Sequence, residues 1–368
     1  MNCKKSLERA IGIGKMINYG LEPIFMFSSV ESYKNIPPID DAGEDDVDVF
    51  SVQFNQDGTE LVVGGMNSTV RVINTAQPNR KLTIKPSKFI LGMPITCIRY
   101  MPVKYDRIIA CSPSGHLYMS QAKKEGFETI ITEQNETYAF DISADGMELA
   151  TCGRDRNIRI YRFANAGFCE ETRLGSLIPK FIQMAVDEDM REMGHGMTIH
   201  AVKFHPDNSC QIVSAGWDNI VKMWDTRAKI NPIWKISGPH VCSPDGIDIK
   251  GYEIFTASWR ARNALQIWDL RNPTLTNIPL ETVPLIGKGW NCEIGDTEYL
   301  YGVKVGDNHS IITSGSGFSG IRVVNRANQR PIGEVYAASC VNGLDIAFGG
   351  RQIVAGCSDG RIILCRMN

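Results

Sequence analysis

Three observations predict an all-β fold: a seven-bladed β-propeller of four-stranded antiparallel blades, closed by an N-terminal strand. The first is a phrase that recurs seven times: an apolar run, a turn, a second run, a small-residue hairpin and a third run. Its clearest copy reads Val202-Lys203-Phe204-His205-Pro206-Asp207, then Gln211-Ile212-Val213-Ser214-Ala215-Gly216, then Ile220-Val221-Lys222-Met223-Trp224-Asp225. The second is spacing. Aligned on Trp224, the third runs place equivalents at Ile73, Ser120, Tyr161, Trp268, Val324 and Cys365, and a period of about 40–45 residues marks a propeller blade. Two intervals are longer, with their surplus around residues 167–194 and 272–297, between blades rather than inside strands. The third is length: 368 residues exceed one ordinary core, and a propeller grows by adding blades.

Residues 1–21 read as an N-terminal extension and residues 22–368 as a single propeller. Lys4, Lys5, Glu8, Arg9 and Lys15 interrupt the apolar residues of the extension, so neither a secretory signal nor a membrane span is expected. Pro23-Ile24-Phe25-Met26-Phe27 is an orphan β-like run. The seventh phrase ends at Ile362-Ile363-Leu364-Cys365-Arg366 with two residues to follow, so its outer strand must come from upstream. The run 23–27 is therefore expected to pair there and protect an open edge. Between it and blade one lies a linker, 37–48, with Asp40, Asp41, Glu44, Asp45, Asp46 and Asp48. It reads as solvated chain, or as an acidic lip for a basic partner.

Within each phrase Val, Ile and Phe dominate, as strands buried against neighbouring blades require. Turn formers separate the first two runs: Asn55-Gln56-Asp57-Gly58, Ala144-Asp145-Gly146 and Pro206-Asp207-Asn208. Outer strands are expected at Lys81–Lys85, Phe127–Thr132, Ile233–Ser237, Ile278–Val283 and Ile332–Tyr336. In the first insertion, Pro179 followed by apolar residues at helical spacing through Ala185 predicts one short helix folded over the disc.

Charged residues make up 22% and the net charge is −2, which leaves no broad basic field for nucleic acid. The 11 cysteines are scattered without a C-x-x-C pair and read as reduced thiols of a cytoplasmic protein; nuclear or ciliary placement stays open. No cofactor or metal is expected. The six histidines form no metal cluster, the Gly12-Ile13-Gly14-Lys15-Met16 stretch is not a phosphate loop, and no Gly-x-Ser-x-Gly elbow occurs. A non-catalytic role is expected.

Phrases four and five carry more than periodicity: Gly194-His195, Ser214-Ala215-Gly216-Trp217-Asp218 and Trp224-Asp225-Thr226-Arg227, then His240, Ser258 and Trp268-Asp269-Leu270-Arg271. This resembles the WD40-repeat family, whose blades begin near Gly-His and end near Trp-Asp. The resemblance implies a structural tetrad of His195, Ser214, Asp218 and Trp224 that staples a blade and has no active-site role. Asp155 and Asp359 hold the turn position of Asp218 without the Trp. In blade five an Arg-Ala-Arg segment breaks the tetrad.

The resemblance also implies a partner-binding rim on the face carrying the inter-blade links and the second-to-third-strand turns. Positions starting the innermost strands hold Phe50, Thr96, Tyr138, His200, Asp245, Tyr301 and Asn342; two residues upstream come Glu136, Thr198 and Tyr299. Positions before the turn Asp hold Arg154 and Trp217, and Trp259 and Arg260 occupy blade five's equivalent loop. Aromatic residues and Arg dominate interface hot spots, so Trp217, Arg154, Tyr138, His200, Tyr301, Phe50, Trp259 and Arg260 are the candidate site. These positions are expected to be unburied. The expected role is a monomeric interaction scaffold in a multiprotein complex that binds a protein or peptide there. Two alternatives stand beside it. Arg227 and Arg271, in Trp-Asp-x-Arg segments, resemble the signature of substrate receptors that dock on the damaged-DNA-binding adaptor of cullin ubiquitin ligases. The other is a building block of a cytoskeletal or ciliary assembly.

Overall fold

The computed structural model describes residues 24–25, 30–36, 48–66, 68–77, 81–84, 93–102, 107–121, 127–163, 180–181, 194–227, 232–271, 278–279, 298–307, 310–327, 331–337 and 339–367. They form seven antiparallel sheets, six of four strands and one of five. The only helical element among them is a 3-10 turn, Phe348–Gly350. In blade four the order is Ile199–His205, Asn208–Gly216, Ile220–Asp225 and Trp234–Ser237, each strand paired with the next. The other innermost strands are Val49–Phe54, Cys97–Tyr100, Thr137–Ile142, Ile247–Lys250, Leu300–Val305 and Val341–Ala347. The expected outer strands of blades one, two, four, five and six appear at Lys81–Ile84, Glu128–Thr132, Trp234–Ser237, Ile278–Pro279 and Pro331–Tyr336.

Apolar side chains fill the spaces between sheets. An apolar cluster lies at every junction of neighbouring blades. Blade three meets blade four, for example, through Ala150 and Ile160 against Val202, Ile212 and Trp224. The last blade meets the first through Val354, Ile362 and Leu364 against Val49, Val52 and Phe54. Both faces of each sheet are thus buried, which is why the second strands read as nearly continuous apolar runs.

Two expectations need correction. Ring closure does use an N-terminal strand, but the segment is Val30–Ile36, which pairs antiparallel with Ile362–Met367 from Val30 opposite Met367 to Ile36 opposite Ile362. Of the run 23–27 only Ile24 and Phe25 are described, and they do not pair with the terminal strand. They pair with Tyr336 and Val335 instead, as a fifth strand on blade six. An outer edge offers only main-chain donors and acceptors, so composition does not decide which of two adjacent segments occupies it. The second correction concerns the helix expected from Pro179. Lys180 and Phe181 pair with Ile160 and Arg159 and supply blade three's outer strand, whose main-chain groups the third strand needs. The acidic linker, apart from Asp48, lies outside the described residues, as does the rest of both insertions.

Candidate functional site: the top face

The top face is where the inter-blade links and second-to-third-strand turns emerge. Its side chains are placed by a backbone irregularity shared by five blades. The ladder between first and second strands skips one residue at Phe50, Tyr138, His200, Tyr301 and Asn342. A bulged residue is left out of the pairing and its side chain is re-aimed, here at the start of each innermost strand. Just upstream, a carbonyl accepts from the residue that follows the second strand: Trp217 N–H to Thr198 O at 3.0 Å, Arg154 N–H to Glu136 O at 3.0 Å. A Cβ on Gly216 or Gly153 would stand 2.0 Å from that carbonyl. This close approach explains why Gly precedes Trp217 and Arg154.

Two of the bulges, at Tyr138 and His200, bring rings together. His200 stacks between Tyr138, with centroids 4.9 Å apart, and Trp217, at 4.8 Å. The His240 ring lies against the Trp217 main chain and 6.5 Å from Trp259, which in turn contacts Tyr299 at 4.9 Å. The result is a belt of six rings from blade three to blade six: Tyr138, His200, Trp217, His240, Trp259 and Tyr299. Trp217 and Trp259 are 42% and 44% exposed. At the blade-three end Tyr138 donates its hydroxyl to Glu136 at 2.6 Å, and Glu136 also pairs with Arg154. Phe50 and Tyr301 are half-buried and make no ring contact with the belt among the described residues.

His200 departs from its expected exposure. It is only 8% exposed because the two flanking rings cover it, and its Nε2 has no hydrogen-bond partner among the described residues. Burial, followed by the nearby His240, lowers its pKa from 6.5 to about 4. Below pH 6.5 the unfolded chain therefore takes up a proton that the folded chain refuses, so stability falls with falling pH until the folded value is reached. The loss at pH 4.5 is about 2–3 kcal/mol, and none remains at pH 7.5. Urea titrations of the wild type and His200→Gln at both pH values test this. The wild type should lose that amount relative to the variant, and a difference independent of pH would show that the ring titrates normally.

Asp245, expected on the rim, is 2% exposed and belongs to a ring of polar side chains around the central axis. Each innermost strand contributes one: Gln53, Arg99, Asp141, Lys203, Asp248, Lys304 and Asp345. Four act as acceptors for the next blade's main chain. Tyr100 N–H donates to Gln53 at 2.6 Å, Phe204 N–H to Asp141 at 2.7 Å, Val305 N–H to Asp248 at 2.8 Å and Phe54 N–H to Asp345 at 2.8 Å. Three cations pair with carboxylates of the ring: Lys203 lies 3.1 Å from Asp248, Lys304 3.4 Å from both Asp345 and Asp245, and Arg99 2.9 Å from Asp245. Burial works to raise the Asp245 carboxyl, yet Lys304 and Arg99 hold it below the usual range. Burial raises Asp345. These charges lock neighbouring blades in register and are committed to one another, not to solvent.

The tetrad forms a chain. Trp224 Nε1 donates to Ser214 Oγ at 2.8 Å, Ser214 Oγ lies 2.7 Å from His195 Nε2, and His195 Nδ1 lies 2.8 Å from Asp218. With the indole donating, the Ser214 proton goes to Nε2 and the Nδ1 proton to Asp218. Burial keeps the imidazole neutral by lowering its pKa against the pull of Asp218. Ser214 is fully buried, so its hydroxyl meets no substrate. Blade three carries a counterpart that sequence reading missed. Glu133, at the position of His195, accepts from Thr151 and Thr137 at 2.6 Å and from Tyr161 at 2.7 Å, while Asp155 holds Arg159. In blade five His240 turns to Asn219 at 2.8 Å, and the Trp268 indole donates to Thr256 at 3.1 Å.

On the opposite face Arg227 and Arg271 are exposed, and each folds back on its own repeat. Arg227 grips Asp225 at 3.0 and 2.7 Å, and Arg271 grips Asp269 at 2.9 and 2.6 Å. Among the described residues no group of three or more His, Cys, Asp or Glu side chains could hold a metal ion. Three stretches, residues 42–74, 129–162 and 188–225, match the family model described as WD domain, G-beta repeat; they fall on blades one, three and four. No curated protein matches the chain.

Proposed function

We propose that this chain, a member of the WD40-repeat family, is an interaction scaffold whose top face captures a peptide or loop of a partner protein on the six-ring belt. Such propellers generally mediate protein–protein contacts. The observation that carries the finer reading is the pair of indoles, Trp217 and Trp259, left more than two-fifths exposed within the row of rings. Exposed planar rings held rigidly lose little entropy on binding and bury a large apolar area, which is why they anchor interfaces.

Two further features support it. His200 holds a buried ring nitrogen without a partner, an arrangement unfavourable to stability and so unexplained by it. The bulges that aim Tyr138 and His200 also interrupt the ladder, a device found beside functional sites. By contrast, the axis is filled by paired charges, so the belt and not the channel offers the contact surface. Affinity purification with the wild type and Trp217→Ala is the test. The variant should lose most co-purifying partners while keeping wild-type thermal stability, because its side chain is half in solvent. An unchanged partner set would remove the belt from consideration.

A further inference from the structure

Ion pairs on the top face are unevenly distributed, and the imbalance bears on the partner. Arg154 is spent on Glu136, Arg159 on Asp155 and Arg361 on Asp359. Two acids near blades four and five are engaged: Asp218 holds His195, and Glu298 accepts from the Ala264 main chain at 3.2 Å. Blade five's loop is different. Arg260 and Arg262 are both exposed, flank Ala261 directly after Trp259, and have no carboxylate within ion-pair distance among the described residues. That loop is held in place by the Tyr299 N–H donating to Arg260 O at 3.0 Å and the Glu298 N–H donating to Ala261 O at 3.3 Å. Two uncompensated cations are therefore fixed beside an exposed indole.

We infer that the segment captured on the belt is an acidic peptide, with Asp or Glu beside an apolar or aromatic residue. The inference rests on the belt reading above. The apolar residue covers the indoles of Trp217 and Trp259, and the carboxylates meet Arg260 and Arg262. A guanidinium suits this task because its planar fork accepts a carboxylate with two parallel hydrogen bonds. Nucleic acid, which would also stack on indoles, needs a run of cations along its backbone, and the chain's net charge of −2 with Arg260 and Arg262 beside the belt does not supply it.

A random dodecapeptide library selected on the full chain, with the selected pool then measured on Trp217→Ala, tests this. The expected pool is enriched in Asp and Glu. Its members should bind roughly 5- to 10-fold more weakly to Arg260→Gln/Arg262→Gln, the range for two exposed charge pairs, and more weakly as salt is raised. Amide isosteres, with Asn and Gln for Asp and Glu, should show the same loss on the wild type. A pool that depends on Trp217 but is neutral or basic overturns the acidic inference and leaves the belt reading standing. A pool that binds Trp217→Ala equally well overturns the belt reading and this inference with it. Tighter binding of a single-stranded RNA dodecamer than of the best acidic peptide would also overturn it.

Discussion

Asp245→Ala is expected to lower the unfolding free energy by about 3–5 kcal/mol, the usual consequence of leaving buried charges without their partner. The carboxylate lies between Arg99 at 2.9 Å and Lys304 at 3.4 Å and also accepts from the Leu344 main chain at 3.4 Å. Blades two, five, six and seven thus meet at one side chain. Its removal strands the Arg99 guanidinium and leaves the Lys304 ammonium with Asp345 as its one carboxylate among the described residues, in side chains each only 8% exposed. Neither can turn to water, because packed innermost strands surround the axis. Urea unfolding of the wild type and Asp245→Ala, followed by tryptophan fluorescence, measures the effect. The double variant Asp245→Leu/Arg99→Met, which leaves Lys304 with Asp345, then separates two explanations. If the loss comes from stranded charge, replacing both groups by apolar ones recovers much of it. A loss below about 1 kcal/mol for Asp245→Ala, the range of solvent-exposed pairs, would mean that water screens the axis.

Blade count and most strand positions were legible because burial on both faces forces apolar runs, and runs such as Gln211–Gly216 recur with the same turns. The tetrad was legible because His195, Ser214, Asp218 and Trp224 sit in a blade close to the family pattern. The axial ring was not. Gln53, Arg99, Asp141, Lys203, Asp248, Lys304 and Asp345 each look like the polar, solvent-facing member of an alternating strand. Only when seven strands converge do those positions face one another and become wholly or partly buried. His200 misled for the opposite reason: its position opens to the surface, and Tyr138 and Trp217 then close over it. Closure was read from apolar character, which favoured the run 23–27, whereas pairing at an edge is a main-chain matter and Val30–Ile36 forms it. The Glu133 hub carried a signal that positional alignment could have found. Glu133 precedes its innermost strand as His195 does, Thr151 matches Ser214, Tyr161 matches Trp224, and Asp155 matches Asp218.

That correspondence sets the second large effect. Blade four joins its strands through one hydroxyl and one imidazole in sequence, each group making one bond to the next. Blade three instead gathers three hydroxyls on a single carboxylate, with Arg159 3.9 Å from it. Glu133→Ala therefore leaves the Thr137, Thr151 and Tyr161 hydroxyls without their acceptor at once, in a site where Thr137 and Thr151 are fully buried. An unsatisfied buried hydroxyl costs about 1–3 kcal/mol, so a loss of about 3–4 kcal/mol is expected, allowing for one hydroxyl finding a new partner. Ser214→Ala in blade four should be milder, about 1–3 kcal/mol, since Trp224 and His195 lose one bond each. Glu133→Gln discriminates further: its amide oxygen still accepts, but the charge facing Arg159 is gone. If hydrogen-bond count governs the hub, Glu133→Gln lies nearer the wild type. If charge governs it, Glu133→Gln falls with Glu133→Ala, and Glu133→Gln/Arg159→Met recovers part of the loss. Equal stability of Glu133→Ala and the wild type in urea would show that the hub bears no load and that blade three stands on its apolar contacts with blades two and four alone.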